Sequence, residues 1–400
     1  MDFDLNAEQK RWVSLAREIS RDVLAPHAAE IDSAGRFPRE NLRVLGEAGI
    51  LGLPVGTEFG GPGANLLTIA LVTEELGRGC ASTAMCCHMH LAAASLIASV
   101  ADGDQVDRFV EPILRGEHLS TYAISEAGSG SRWWHMESFV ERRDGGYHLN
   151  SFKSFATSAG EADSYVVPVR ASSTSSHHEY TLLLVDREIE NVKPVGHWDA
   201  MGLRGNQSTA VHFDGCFVPD SHRLGEAAFG FPLLMAHGLP AYQVGLAAVY
   251  LGIARAALDF ATSHVTKRVH ADTGLPLAKV ETIQLYAADM KLRLDQARAF
   301  VFGVARYVDR LTEKHGDLVE VIDDTEFLQS VASVKVVACQ AAAAITNRAL
   351  QVCGGTGFSR KHPIERYFRD ARAGSLMGPA DDILRVLIGQ RALGLPYPWE

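Results

Sequence analysis

The stretch LQVCGGTGFSRKHPIERYFRDAR, Leu350 to Arg372, decides how the rest of this chain is read. It begins at the end of a long apolar run, TEFLQSVASVKVVACQAAAAITNRALQV. That run reads as a helix, and Gly354 and Gly355 after it suit a C-cap that needs a positive φ. The small residues Ala341 to Ala344 within it allow another helix to come close. Upstream, Ile283, Ala287, Met290, Leu294, Ala297, Val301, Val304, Val308 and Leu311 recur in steps of four and three. Such a seam packs against other helices at a shallow crossing angle, so residues 229–400 read as a helical bundle. Downstream, FRDARAGSLMGPADDI (Phe368 to Ile383) is charged at Arg369, Asp370 and Arg372, then small and apolar at Gly374, Ser375, Gly378, Pro379 and Ala380. It has the look of an approach to an active site from which the catalytic residue is missing.

Towards the N-terminus the texture changes twice. From about Leu119 to residue 228 short β-rich runs (YHLNSFKSFAT, SYVVPVR, YTLLLVD, TAVHFDGCFV) are separated by turn residues, with the hairpin signal Asp144-Gly145. The polar ASSTSSHH (Ala171 to His178) reads as an exposed loop between strands. Residues 1–118 read as mostly helical: Asn6 can cap, Trp12, Leu15, Ile19 and Val23 keep helical spacing, and Pro26 is expected to end that first helix. The expected architecture is multi-domain α+β: an N-terminal α-helical domain (1–118), a middle β domain (119–228) and a C-terminal helical bundle (229–400).

Composition narrows the function classes. Four hundred residues, 47% hydrophobic with 15 prolines, are ample for a large core. Thirty-eight basic against 48 acidic residues give a net charge of −10, which disfavours a nucleic-acid partner. The acidic, polar opening MDFDLNAEQK and the expectation that no stretch approaches the roughly 20 apolar residues of a membrane span point to a cytoplasmic, membrane-free protein. The six cysteines (Cys80, Cys86, Cys87, Cys216, Cys339, Cys353) include no C-x-x-C pair, so reduced buried thiols are expected and no metal site. There is no Walker A loop, no G-x-G-x-x-G after a strand and no H-E-x-x-H helix.

Four segments, in order, resemble the acyl-CoA dehydrogenase family of flavoproteins over nearly the whole chain. YAISEAGSGS (Tyr122 to Ser131) resembles the family's Thr-Glu-Pro-Gly-x-Gly-Ser-Asp loop; a Gly- and Ser-rich turn offers backbone N–H groups without obstruction. LNSFKSFATSAGEAD resembles Leu-Asn-Gly-x-Lys-x-Trp-Ile-Thr-Asn-Gly. MGLRGNQSTAVHFDGCFVPDSHRLGEAAFGF resembles the segment that closes the family's middle domain. The stretch quoted first resembles Gln-x-x-Gly-Gly-x-Gly…Pro-x-Glu-Arg…Arg-Asp-Ala. The resemblance implies an α-helical lobe, a β-barrel-like middle domain and a C-terminal four-helix bundle, assembled as a homotetramer or homodimer. It implies FAD as cofactor, with Tyr122, Ile124, Ser125, Gly130, Ser131, Phe155 and Thr157 around the flavin. It places Arg268, Gln351, Gly354 and Gly355 at the nucleotide end, typically from a neighbouring subunit. The family's aromatic three residues after the Arg is Ala271 here.

In the family's usual reaction a Glu takes the α-proton of an acyl thioester while the β-hydrogen leaves as hydride to the flavin. Alignment puts Gly378 where that Glu belongs, and Tyr242 at the position some relatives use instead. Glycine accepts no proton, and tyrosine, with an ordinary pKa near 10, is a poor base. Either another residue is the base or the substrate needs none. His90 is the first candidate, since a histidine titrates near neutrality; His237 and His88 are weaker. Asp381 and Asp382 are better read as the N-cap and first turn of DDILRVLIGQRAL. Arg132 stands where the family's Gly-Ser-Asp has its Asp, and bulky Trp133 and Trp134 follow it, implying an altered substrate entrance. The expected function is FAD-dependent oxidation of an acyl thioester, on CoA or a carrier protein, with an electron-transfer flavoprotein or O2 as acceptor. The alternatives are a flavin monooxygenase or oxidase on the same fold, or a non-enzymatic binding subunit.

Overall fold

The structure, a computed structural model, describes residues 4–399. The N-terminal region comprises α1 (Ala7–Ile19), α2 (Ala25–Ala34), α3 (Arg39–Glu47), α4 (Leu66–Gly79), α5 (Ala81–Val100) and α6 (Glu111–Leu114). Asn6 caps α1 as expected: its side chain accepts from the N–H of Gln9, whose own side chain bonds the backbone of Asn6. Pro26 does not end the helical path. A five-residue π-turn, Ser20–Leu24, joins α1 to α2, and Pro26 sits in the first turn of α2, where a missing N–H costs little.

The middle region holds eight strands: β1 (Ser120–Tyr122), β2 (Val140–Arg143), β3 (Gly146–Ala156), β4 (Ser164–Arg170), β5 (Tyr180–Asp186), β6 (Val192–Val195), β7 (Thr209–Pro219) and β8 (Arg223–Leu224). They form two four-stranded sheets, ordered β1-β4-β5-β8 and β2-β3-β7-β6, with only β1 and β4 parallel. A parallel bridge between Phe139, just before β2, and Arg170, at the end of β4, links the two sheets. Alternate residues of β3 and β7 (Tyr147, Leu149, Val211, Phe213) meet Tyr165, Val167 and Leu183 in a core between the sheets. Asp144-Gly145 makes the predicted hairpin turn, with Gly145 at φ 73°.

Then come α7 (Gly230–Leu233), α8 (Leu239–Lys267), α9 (Glu281–His315), α10 (Thr325–Phe358), α11 (Ile364–Ala373) and α12 (Asp381–Ala392). In the α9 seam Met290, Leu294, Ala297, Val301, Val304 and Val308 are buried, whereas Ile283, Ala287 and Leu311 are only half-buried. Gly354 does take a positive φ (55°), but as a break inside α10 rather than at its end, and the segment resumes to Phe358. Helices α4 and α8 cross closely: a Cβ on Gly77 would stand 2.6 Å from the carbonyl oxygen of Val249, and one on Gly252 2.3 Å from that of Glu74. Only glycine fits both positions. Beside this crossing Glu75 is bound by Arg17, Arg78 and Arg255; burial alone would raise its pKa, yet the guanidiniums hold it at about 2.

The expectation about membrane-length segments needs correcting. Three helical segments, Ala81–Val100, Gly230–Lys267 and Thr325–Phe358, are long and apolar enough to cross a membrane by length and composition. Within the fold, 78%, 83% and 61% of their most apolar windows are buried, so neighbouring helices supply the apolar surroundings these stretches need. All six cysteines are buried and free, with burial raising each thiol pKa.

Candidate active site

A cavity of about 380 Å³ opens where the three regions meet. The middle domain contributes Tyr122, Ile124, Ser125, Ser129, Gly130, Ser131, Trp133, Phe155 and Thr157. The loop before β7 adds Trp198, Met201 and Ser208; α5 adds Met89. The C-terminal helices and the segment after α11 add Leu234, Leu239, Tyr242, Arg369, Arg372, Leu376, Met377, Gly378 and Pro379. Seven expected flavin-side residues (Tyr122, Ile124, Ser125, Gly130, Ser131, Phe155, Thr157) thus share one wall system with Tyr242 and Gly378.

The Tyr122–Ser131 loop is held from beneath by a pair that pattern reading passed over. Lys153, on β3 and fully buried, donates from Nζ to Glu126 Oε1 (2.8 Å) and to the carbonyl of Pro168 (2.8 Å), with Met136 Sδ at 3.3 Å. Glu126 also accepts from the Glu137 N–H (2.6 Å) and from the Ser138 hydroxyl. Burial opposes charge on both groups and pulls the Lys153 pKa down; Lys153 and the donors around Glu126 outweigh that penalty for the carboxylate and hold its pKa below the ordinary range. Nζ has the acceptors an ammonium needs, so the pair is ionised. Both residues lie inside the quoted motif segments, which was the available signal.

A second fastening sets the far wall. Arg369 donates to Asp32 (2.9 and 2.6 Å), to Glu365 (2.7 and 3.1 Å) and to the carbonyl of Met201 (2.9 Å), tying all three regions at the cavity rim. Next to it Asp370 is buried, accepts from the Leu203 N–H (2.7 Å), and burial pushes its pKa up to about 6.

The candidates for a proton acceptor separate clearly. His90 does not line the cavity. It is fully buried, with Nδ1 accepting from the Ser120 N–H (3.0 Å) and Nε2 donating to the Leu51 carbonyl (3.1 Å). Both ring nitrogens are committed, which removes the first candidate. Tyr242 does line the cavity, but its hydroxyl donates to the carbonyl of Gly378 (2.5 Å) and burial drives its pKa well above the ordinary value. It is a donor, not a base. His88 packs against the Tyr242 ring and is held neutral by burial, at a pKa of about 3; His237 faces Asp317 (3.2 Å). Neither reaches the cavity lining. Asp381 lies in the first turn of α12, as expected, although Ala380 is the N-cap; its carboxylate binds the buried Lys335 (2.9 Å). Among the described residues the cavity lining contains no Asp, Glu, His, Lys or Cys.

His90 carries a prediction. Burial holds its pKa at about 4, so the folded protein refuses a proton that the unfolded chain takes near 6.5. Stability from the neutral ring is therefore present above pH 6.5 and lost as pH falls towards 4. His90→Gln is expected to flatten the acid side of the stability–pH curve by on the order of 3 kcal/mol, measured by denaturant unfolding at a series of pH values. It is expected to leave the rate of flavin reduction within about threefold; abolished turnover in a folded variant would restore His90 as the base.

The cavity fits a flat aromatic cofactor. Phe155 (64%), Leu376 (63%) and Met201 (56%) line it yet are exposed, an apolar surface that calls for cover. The N–H groups of Ile124, Ser125 and Ser131 have no hydrogen-bond partner among the described residues. Gly130, at φ 56°, would have nothing within 4 Å of an added Cβ, leaving the loop open to a ligand. Thr157 Oγ1 meets only Ser208 Oγ, at 3.3 Å. The four other expected cofactor residues lie elsewhere: Arg268 at the C-cap of α8, and Gln351, Gly354 and Gly355 late in α10, all exposed and none lining the cavity. Trp133, which lines the cavity, and Trp134 behind it pack at tilted angles against Trp399 of the C-terminal tail, centroids 5.7 and 5.2 Å apart.

Comparison with known proteins agrees with this geometry. The chain matches the N-terminal domain of acyl-CoA dehydrogenases over residues 6–117, the middle domain over 121–216 and the C-terminal domain over 229–393. It is 31% identical to benzylmalonyl-CoA dehydrogenase of Aromatoleum aromaticum over 391 residues, covering 98% of this chain and 99% of that one. It is 30% identical to human short-chain specific acyl-CoA dehydrogenase, covering 98% and 91% of the two chains. The structure of butyryl-CoA dehydrogenase from Megasphaera elsdenii superposes with a TM-score of 0.89 at 28% identity, over 98% of this chain and all of that one. With the three domains in order and a cavity suited to FAD, the chain belongs to the acyl-CoA dehydrogenase family of FAD-dependent oxidoreductases.

Proposed function

We propose that this protein α,β-dehydrogenates an acyl thioester, on CoA or a carrier protein, without a side-chain general base at the reacting carbon. The observation that carries this reading is a cavity built from the family's flavin-side residues whose lining offers no proton acceptor. FAD, when bound, supplies a hydride acceptor. The chain's own residues do the rest. The free N–H groups of Ile124, Ser125 and Ser131 and the hydroxyl of Thr157 give directed hydrogen bonds, and Phe155 gives an apolar face. Tyr242 fixes the carbonyl of Gly378 and so the shape of the wall where a base would stand. Leu239, Met377 and Pro379 keep water from the acyl end. The exposed Arg268, Gln351, Gly354 and Gly355 would serve the nucleotide end of FAD in a neighbouring copy, in a homodimer or homotetramer whose interface would also cover Phe358, which is 81% exposed. Relatives' names include short-chain acyl and benzylmalonyl thioesters, which sets the range of acyl groups to test.

The test is anaerobic mixing of the FAD-loaded protein with a panel of acyl-CoA thioesters. Bleaching of the flavin by at least one is expected, with reoxidation by electron-transferring flavoprotein faster than by O2. Bleaching by none, with FAD retained, would overturn the reading.

A further inference from the structure

This inference rests on the function proposed above and names its substrate class. An ordinary acyl thioester must lose an α-proton before its β-hydrogen can leave as hydride, and that proton needs an acceptor. The cavity has none. Its two charged lining residues are arginines: Arg369 is engaged with Asp32 and Glu365, and Arg372 makes no ion pair or side-chain hydrogen bond among the described residues. At the position where alignment places the family's carboxylate there is instead vacant space. A Cβ on Gly378 would meet only Ser125 Oγ, at 3.6 Å, its chain neighbours Met377 and Pro379 are apolar, and the cavity lining also includes the apolar Leu234, Leu239 and Leu376. The Tyr242 hydroxyl is already given to the Gly378 carbonyl, which leaves the Ser125 hydroxyl as the polar group nearest this space.

We propose that the substrate brings its own carboxylate to this space: a malonyl-type acyl thioester, carboxylated on the α-carbon, whose loss of CO2 replaces proton removal by the protein. The C–C bond to the carboxylate breaks and its electron pair stays on the α-carbon, shared with the thioester carbonyl. That pair then forms the Cα=Cβ bond while the β-hydrogen departs with its two electrons to the family's oxidant, FAD. The products are an α,β-unsaturated thioester, CO2 and a cofactor reduced by two electrons, and no proton passes to a side chain. Apolar surroundings favour this route because a carboxylate loses hydration there while CO2 does not need it. Arg372 adds an unpaired positive charge that draws an anionic acyl group in. Glycine at 378 is required on this account, because a side chain would fill the space the substrate's carboxylate needs.

The test uses the FAD-loaded full chain under anaerobic conditions with two matched pairs: benzylmalonyl-CoA against 3-phenylpropionyl-CoA, and ethylmalonyl-CoA against butyryl-CoA. At least one malonyl-type thioester is expected to bleach the flavin at least 100-fold faster than its partner, releasing one CO2 per flavin reduced. A second readout needs no turnover. Malonyl-CoA, which has no β-hydrogen to give, is expected to bind by calorimetric titration and to bind at least tenfold more weakly to Gly378→Glu. Equal or faster bleaching by the uncarboxylated partners would overturn this inference and leave the proposed function standing. Bleaching by none of the four while another acyl-CoA thioester bleaches the flavin would likewise overturn this inference alone, and bleaching by no thioester at all would remove both. If the variant fails to hold FAD, the wild-type comparison alone decides.

Discussion

Gly378→Glu is expected to supply the base that the cavity lining lacks, with flavin bleaching by the plain saturated thioesters butyryl-CoA or 3-phenylpropionyl-CoA rising by a factor on the order of 10² to 10⁴, the usual contribution of a placed general base. The site admits the change. Gly378 is not in a positive-φ conformation, and the nearest atom to an added Cβ is Ser125 Oγ at 3.6 Å, an ordinary contact. The new carboxyl would stand in a largely apolar cavity between Met377 and Pro379, where partial burial raises a carboxyl pKa towards the range useful for taking a proton from carbon. The measurement is single-turnover flavin reduction together with α-hydrogen exchange in D2O. An unchanged rate in a variant with full FAD content would mean that the shape of the pocket, and not the absent base, excludes plain substrates.

Lys153→Met is expected to have the largest effect on stability and cofactor retention. It leaves the Glu126 carboxylate buried without its cation, a loss of about 3–5 kcal/mol for a broken buried pair. Because Glu126 also holds the backbone of Glu137 and Ser138, the Tyr122–Ser131 loop loses its floor, and FAD should dissociate at denaturant concentrations the parent tolerates. Glu126→Gln combined with Lys153→Met removes both charges and should recover part of the loss, giving a coupling of 1 kcal/mol or more in a double-mutant cycle followed by denaturant unfolding. Additive effects would mean that the pair does not support the loop.

The fold was legible where the signal is local. The Asn6 cap, the Asp144-Gly145 turn, the alternation in β3 and β7 and the middle of the α9 seam each depend on residues a few positions apart. Reading failed where the outcome depends on what packs from far away. Pro26 breaks a helix in isolation, but here a π-turn absorbs the adjustment and the proline falls in a first turn. Three helices meet the length and apolarity of membrane spans, and only their surroundings show what covers them. In the site, the seven flavin-side residues and the empty position at Gly378 followed from the motif segments. His90 did not. Its partners Leu51 and Ser120 are 39 and 30 residues away, and no periodicity reveals that both ring nitrogens are taken. Arg372 was visible as a charge, but its lack of a partner was not.

No group in this cavity is available to take a proton from the substrate's α-carbon. The most direct test is incubation of the unsubstituted, FAD-loaded protein with butyryl-CoA in D2O, followed by mass spectrometry of the recovered thioester. No deuterium at the α-carbon above the protein-free control is the predicted result. Enzyme-dependent deuterium uptake there would contradict it.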